Sequence, residues 1–238
     1  MKGPLVLVCE TPEALAFAAA NYVTQSIWAA RGRKPNRPVR VAISGGTTPY
    51  AMLTLLKDAD LPWAHVHWYW VDERFLPADH PRSNVGAARR ALFDSVKDTH
   101  VFAPLTPAEA TLEEAATEYE NRLRGDAEGG ELDLVLLGIG DDGHTASLFP
   151  DEPEVAEASR WVVPVPARQG REPRISLTRP TIERAESVVL LAQGASKQKA
   201  FRAMLEPTPV SAIPSRIVHT TRNRSVCLVD RAVVSGDA

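Results

Sequence analysis

Residues 133–150 read DLVLLGIGDDGHTASLFP, and the fold turns on how this stretch is taken. After Asp133, the run Leu134–Leu137 is apolar at odd and even positions alike. Side chains of a strand alternate between two faces, so such a run describes a strand covered on both, as in a parallel sheet. The chain then leaves through Gly138, Gly140 and Gly143, carries Asp141, Asp142 and His144 in the same loop, and is stopped by Pro150. The glycines spell G-x-G-x-x-G, the dinucleotide fingerprint, but that motif opens a long helix. Here only His144–Phe149 precede a proline, which a helix interior does not hold, and two carboxylates would face the pyrophosphate. The acids read better as partners of His144. An imidazole with a pKa of about 6.5 is a base at neutral pH, and a neighbouring carboxylate orients it. His144 is therefore the expected catalytic base and Asp142 its orienting acid. Asp141 reads as a turn residue.

Outward from this stretch, short apolar runs alternate with helix-like segments. Strands are expected at Leu5–Cys9, Val39–Ser44, His65–Val71, Asp133–Ile139, Ser187–Ala192 and Val226–Val229, with extended segments at Trp161–Pro166 and Arg174–Thr178. Helices are expected from Pro12 to about Ala30 behind a Thr11 cap, from Pro49 to about Lys57, from a Ser83 or Asn84 cap to about Phe93, and over Glu109–Arg124, Pro180–Glu186 and Ser196–Leu205. The basic segment RGRKPNRP (31–38) and the polar segment Asp72–Arg82 read as solvated loops, and GDAEGG (125–130) as a turn. This alternation describes one α/β domain over residues 1–238: a mostly parallel, Rossmann-like sheet flanked by helices on both faces. In such sheets the ligand sits beyond the carboxyl ends of the strands.

Composition narrows the function. The chain has 238 residues, 44% hydrophobic and 24% charged, with a net charge of −3. Such a balance supplies no overall basic field to gather nucleic acid or anionic lipid, so an anion site must be local. Cys9 and Cys227 sit in apolar runs and read as strand residues, neither a disulfide nor a reactive thiol. No signal peptide and no stretch of about 18 apolar residues is read, so a cytoplasmic protein without a membrane partner is expected.

Three further strand exits carry chemistry. In SGGTTP (44–49), Gly45 and Gly46 allow a tight turn, Thr47 and Thr48 offer hydroxyls and a helix cap, and Pro49 suits the first turn. Free N–H groups and the positive end of a helix would then form a phosphate cradle with Ser44 and Thr47. In VDERF (71–75), Arg74 can hold a phosphate or carboxylate in bidentate fashion beside Asp72. In QGASKQKAF (193–201), Lys197 falls near the start of a helix, where a bound phosphate would reverse an unfavourable encounter with the helix dipole. Arg174 in PRISLT is a further basic candidate. His65 and His67 share a strand face but have no third ligand at metal spacing, so no metal is expected. Trp68 and Trp70 read as packing.

Taken in order, SGGTTP, VDERFLPADHPRSN, LGIGDDGHTASLFP, PRISLT and GASK resemble the 6-phosphogluconolactonases of the glucosamine-6-phosphate isomerase/6-phosphogluconolactonase family, from about Ser44 to Lys197. The resemblance implies a phosphosugar isomerase/deaminase-like three-layer sandwich that binds no dinucleotide. It implies hydrolysis of 6-phospho-D-glucono-1,5-lactone in the pentose phosphate pathway, with His144 as the base. The substrate phosphate would lie near Arg74, Lys197 and the Ser44–Thr47 loop, with Arg174 close by. Neither metal nor cofactor is needed, and a monomer or weak homo-oligomer is expected. The deaminases of the family continue their Gly-x-Asp-Gly-His motif with a glutamate, which aligns with Phe149 here. A phenyl ring cannot transfer a proton, which favours the lactonase. Asp72 matches a deaminase acid, and structural support is its first reading in a lactonase. Beside the deaminase stand two more distant possibilities, a nicotinamide-dependent oxidoreductase and a non-catalytic sugar-phosphate sensor. No stretch reads as helix-turn-helix.

Overall fold

The computed structural model describes residues 3–126, 131–168, 170–223 and 225–235. Its strands are β1 (Leu5–Cys9), β2 (Val39–Ile43), β3 (Val66–Trp70), β4 (Asp72–Arg74), β5 (His100–Phe102), β6 (Leu134–Leu137), β7 (Val162–Val165), β8 (Arg174–Leu177), β9 (Ser187–Ala192) and β10 (Val226–Asp230). Its α-helices are α1 (Pro12–Arg33), α2 (Thr47–Leu56), α3 (Asn84–Ala91), α4 (Leu112–Asp126), α5 (Arg179–Glu183), α6 (Gln198–Leu205) and α7 (Arg231–Val234).

Seven strands form one sheet in the order β1-β10-β9-β6-β2-β3-β5, and every pairing in it is parallel. The double-sided apolar runs do what their period requires. Val41, Ile43, Leu134, Leu136, Val189 and Leu191 join one core with Leu15, Val23 and Ile27 of α1, Met52 and Leu53 of α2 and Val85 of α3. Their alternates Ala42, Val135, Leu137, Val188 and Leu190 join a second core with Tyr119 and Leu123 of α4 and Phe201 and Met204 of α6. Helix α1 shows the local logic. Thr11 Oγ1 accepts from the Ala14 N–H at 3.2 Å, Pro12 opens the first turn, Arg31 and Arg33 sit in the last, and a stripe of Leu15, Ala19, Val23, Ile27 and Ala30 is buried.

A second sheet, β4-β8-β7, is antiparallel and was not expected. Asp72–Arg74, read as loop, is its edge strand, with Asp72 opposite Ser176, Glu73 opposite Ile175 and Arg74 opposite Arg174. Three charged residues have little strand preference of their own, so pairing with β8 decides their state. Strand β5 and helix α7 also lie outside the expected elements, each too short to show a period. Of the turn expected at 125–130, Gly125 and Asp126 belong to α4 instead, and residues 127–130 lie outside the described residues.

The basic link is a solvated loop only in part: Arg31–Arg33 belong to α1 and Pro35 and Asn36 are exposed, but Lys34 and Arg37 are anchored. Arg37 donates through Nη1 and Nη2 to the two oxygens of Asp133 at 2.7 Å each, Lys34 Nζ lies 3.5 Å from the same carboxylate, and the Arg40 N–H donates to it at 2.9 Å. The Asp133 side chain is 1% exposed. Burial raises its carboxyl, but the bonds from Arg37 and Arg40 outweigh that and hold it below the ordinary carboxylate range. The clasp ties the start of β2 to the start of β6, at the opposite ends of the strands from the glycine-rich exits.

Strand β2 has β3 on one side and β6 on the other, so chain connections diverge at β2/β6. That divergence opens a crevice beyond the carboxyl ends of the strands. The clasp beneath generates a stability prediction. A carboxyl depressed in the fold contributes stability above its unfolded pKa and loses it as pH falls through the folded value. Asp133→Asn is therefore expected to lower unfolding free energy by about 1.5–3 kcal/mol at neutral pH, measured by urea titration. The deficit should hold above about pH 5 and narrow below about pH 4; a deficit independent of pH would contradict the charge assignment.

Candidate functional site

The exits of β2, β6 and β9 and the short strands β4 and β8 converge on a cavity of about 280 Å³, at the small end of ligand sites. Ser44, Gly45, Gly46, Thr47, Asp72, Arg74, His144, Arg174 and Lys197 all line it. Asp142 does not; it stands behind His144.

His144 is seated by its own loop. The Gly140 N–H donates to the His144 carbonyl at 2.8 Å, and the Gly143 N–H donates to the Gly140 carbonyl at 3.0 Å. Gly143 supplies the positive φ of 85° that the turn needs. A Cβ on Gly140 would fall 2.0 Å from His144 Nδ1, so the imidazole lies where a side chain would. Asp142 Oδ1 is 2.6 Å from His144 Nδ1 and accepts the His144 backbone N–H at 3.0 Å. Burial raises the Asp142 carboxyl, but the hydrogen bonds from the His144 ring and backbone prevail and hold it at about 2. At neutral pH it is a carboxylate and accepts only, so its bond to the ring requires the proton on Nδ1. No helix follows the three glycines, and Thr145 bridges to Leu148 in a tight turn. The dinucleotide fingerprint is therefore a coincidence of spacing.

The cations are held unequally. Arg74 Nη1 donates to the Arg82 carbonyl at 2.6 Å and to Asn84 Oδ1 at 2.9 Å, and its Nε lies 3.1 Å from Glu172. Nη2 has no protein hydrogen bond among the described residues. Glu73, 7% exposed, fixes the segment from beneath by accepting from the N–H groups of Arg74, Asn84 and Val85 at 2.6–2.8 Å. Burial pushes its carboxyl above the usual range despite those bonds. Asp72 Oδ2 accepts from Ser147 Oγ at 2.6 Å and lies 3.7 Å from Arg174 Nη1, so it braces two neighbours and still faces the cavity. Ser44 Oγ and Arg174 Nε are buried without a protein partner among the described residues, and both belong to lining residues. Buried unpaired donors at a cavity point to a polar ligand.

Two local expectations change, and a third holds. The cap of α2 is Gly46, at φ 119°, in place of Thr47 or Thr48, and Thr48 Oγ1 instead donates to Gln193 at 3.1 Å. Asp141 is no mere turn residue: its Oδ1 lies 2.8 Å from Lys197 Nζ. Lys197 stands near the start of a helix as expected, closing a 3-10 turn (Ala195–Lys197) and capping α6. Asn84, Gln193 and Ala146 also line the cavity, and sequence reasoning missed them. It missed Phe149 and Arg171 as packing partners too: the Phe149 ring centroid lies 4.5 Å from that of His144, and the Arg171 guanidinium stacks 3.6 Å from the phenyl centroid. Asn84 carried a signal, as a candidate cap; the others carried none. Among the described residues no group of three His, Cys, Asp or Glu side chains could hold a metal, and His67 pairs with Asp126 at 2.8 Å.

The family model of glucosamine-6-phosphate isomerases/6-phosphogluconolactonase matches residues 10–227. The chain belongs to that family. A 6-phosphogluconolactonase of Synechocystis sp. is 43% identical to it over 173 residues, 70% of this chain and 71% of the relative. The solved 6-phosphogluconolactonase of Trypanosoma brucei superposes with a TM-score of 0.85 at 29% identity, covering 99% of each chain. A monomeric glucosamine-6-phosphate deaminase, at 24% identity and a TM-score of 0.78 over 96% of this chain and 98% of its own, shares the fold.

The seating of His144 is directly testable. Gly140→Ala is expected to keep the fold and turn the imidazole away from Asp142. The His144 ring resonance, assigned by its loss in His144→Ala, should shift while the thermal midpoint changes little. An unmoved resonance would contradict the contact.

Proposed function

We propose that this member of the family hydrolyses 6-phospho-D-glucono-1,5-lactone to 6-phosphogluconate in the pentose phosphate pathway, with residues 1–238 acting as one catalytic unit. The observation that carries the reading is the pairing of His144 with a carboxylate held at about 2, on the wall of a cavity that also holds Arg74, Arg174 and Lys197. The names of the relatives point the same way.

In this reading the phosphate lies against Lys197, Arg74 Nη2 and the Ser44–Thr47 turn, where the N-terminal N–H groups of α2 add positive potential. The lactone C1 lies at His144. Nε2 takes a proton from water as the water oxygen bonds to C1. The tetrahedral intermediate expels the ring oxygen, which takes the proton back from Nε2. Asp142 holds the Nδ1–H tautomer and stabilises the imidazolium. Ser44 Oγ and Arg174 Nε are unpaired but buried, so they would serve substrate oxygens only after a side-chain shift. The lactone carbonyl is already electrophilic, so the reaction asks for no cofactor, and EDTA should not reduce turnover.

Against deamination stand two features. Phe149 occupies the position expected of a glutamate, and Asp72 is the one carboxylate among the described lining residues. Proton transfer between sugar carbons needs more acid/base groups than ester hydrolysis does. The same reading makes the protein a cytoplasmic monomer acting on a small molecule, with neither nucleic acid nor a membrane surface as partner. A net charge of −3 supplies no basic field for nucleic acid or anionic lipid, and among the described residues no helix is long and apolar enough to cross a membrane.

The test follows loss of enzymatically generated lactone against its spontaneous rate. Wild type should accelerate it, and His144→Ala should lower kcat by about 10²–10⁴-fold. Lys197→Ala or Arg74→Ala should raise KM for the phosphorylated lactone about ten-fold or more and spare an unphosphorylated lactone. Equal losses on both would overturn the phosphate assignment. Asp142 stays ionised until pH falls toward about 2, so Asp142→Asn should depress kcat throughout the range from about pH 5 to 9. A defect confined to one end of that range would contradict the orienting role.

A further inference from the structure

Glu172 and Asp141 both meet cations of the site, and they are held differently. The Glu172 side chain is 10% exposed and lies between three guanidiniums, 3.1 Å from Arg74, 3.0 Å from Arg82 and 3.9 Å from Arg174. Moving it would take a carboxylate away from all three at once, so it is a fixed part of the wall. The Asp141 side chain is 70% exposed and has one partner among the described residues, Lys197 Nζ at 2.8 Å. Lys197 lines the cavity; Asp141 does not.

We propose that Asp141 is a stand-in for the substrate's phosphate: it pairs with Lys197 in the free protein, gives way to phosphate on binding, and thereby sets the affinity of the site for phosphorylated ligands. The inference rests on the reading in which Lys197 holds the phosphate. A phosphate group carries up to two charges and three acceptor oxygens against the single charge of a carboxylate, so it wins the lysine. The pair it breaks is of the exposed kind, which is weak enough to exchange readily. The exchange need not disturb catalysis. Neighbouring Gly140 is tied to the His144 carbonyl and Asp142 to the His144 ring, and neither bond involves the Asp141 side chain. Asp141 thus tunes binding from the catalytic loop without touching the reacting atoms, and holds Lys197 aimed along the rim until substrate arrives.

The experiment measures binding of inorganic phosphate by calorimetry to wild type, Asp141→Asn, Lys197→Ala and the double variant, with lactone kinetics alongside. Asp141→Asn should bind phosphate about 2- to 5-fold tighter and lower KM for the phosphorylated lactone by a similar factor. Its kcat, and its turnover of an unphosphorylated lactone, should match wild type. In the Lys197→Ala background the same change should bring no tightening. Unchanged or weaker phosphate binding in Asp141→Asn would overturn the inference, as would equal tightening without Lys197. The functional reading fails separately, if wild type does not accelerate loss of the lactone, and the phosphate measurement then still decides the role of Asp141.

Discussion

The imidazole of His144 lies directly on the backbone of Gly140, where any side chain would stand. Much of the site follows from that contact. The loop must turn back on itself, which the Gly140 N–H to His144 carbonyl bond and the positive φ of Gly143 achieve. The turn brings Asp142 within 2.6 Å of Nδ1, and the depressed carboxyl then decides which ring nitrogen carries the proton. The tautomer of the His144 ring is thus set by a backbone geometry that the glycine at 140 permits.

Charge is managed by similar means at both ends of the strands. The cations that must not move are tied to buried or largely buried carboxylates. Asp133 fixes the basic link at one end, and Asp72 and Glu172 fix Arg174 and Arg74 at the other. Bonds of this kind cost little flexibility when the anchors sit on short paired strands, which is what the second sheet provides: Arg74 and Arg174 face each other across β4 and β8. The cavity is therefore largely preorganised, which favours catalysis by position and electrostatics.

The main sheet was legible because its strands are apolar on both faces and its exits are rich in glycine; LVLL after Asp133 and VVLLA after Ser187 admit little else. Helix α1 was legible from its cap and stripe, although it runs to Arg33 rather than ending near Ala30. The candidates that line the cavity could be picked out because each lies at or near the end of an extended segment. What stayed hidden depended on pairing at a distance. DER becomes a strand only beside β8, the basic link is anchored only because Asp133 and Glu186 lie beneath it, and Asp141 meets Lys197 across 56 positions. None of these contacts has a local period or cap to announce it.

The most direct measurement is a crystal structure of the protein with 6-phosphogluconate bound. The account predicts the phosphate against Lys197 and Arg74 Nη2, and a C1 carboxylate oxygen about 2.6–3.2 Å from His144 Nε2. A phosphate seated at His144, or a C1 carboxylate out of reach of its ring, would contradict it.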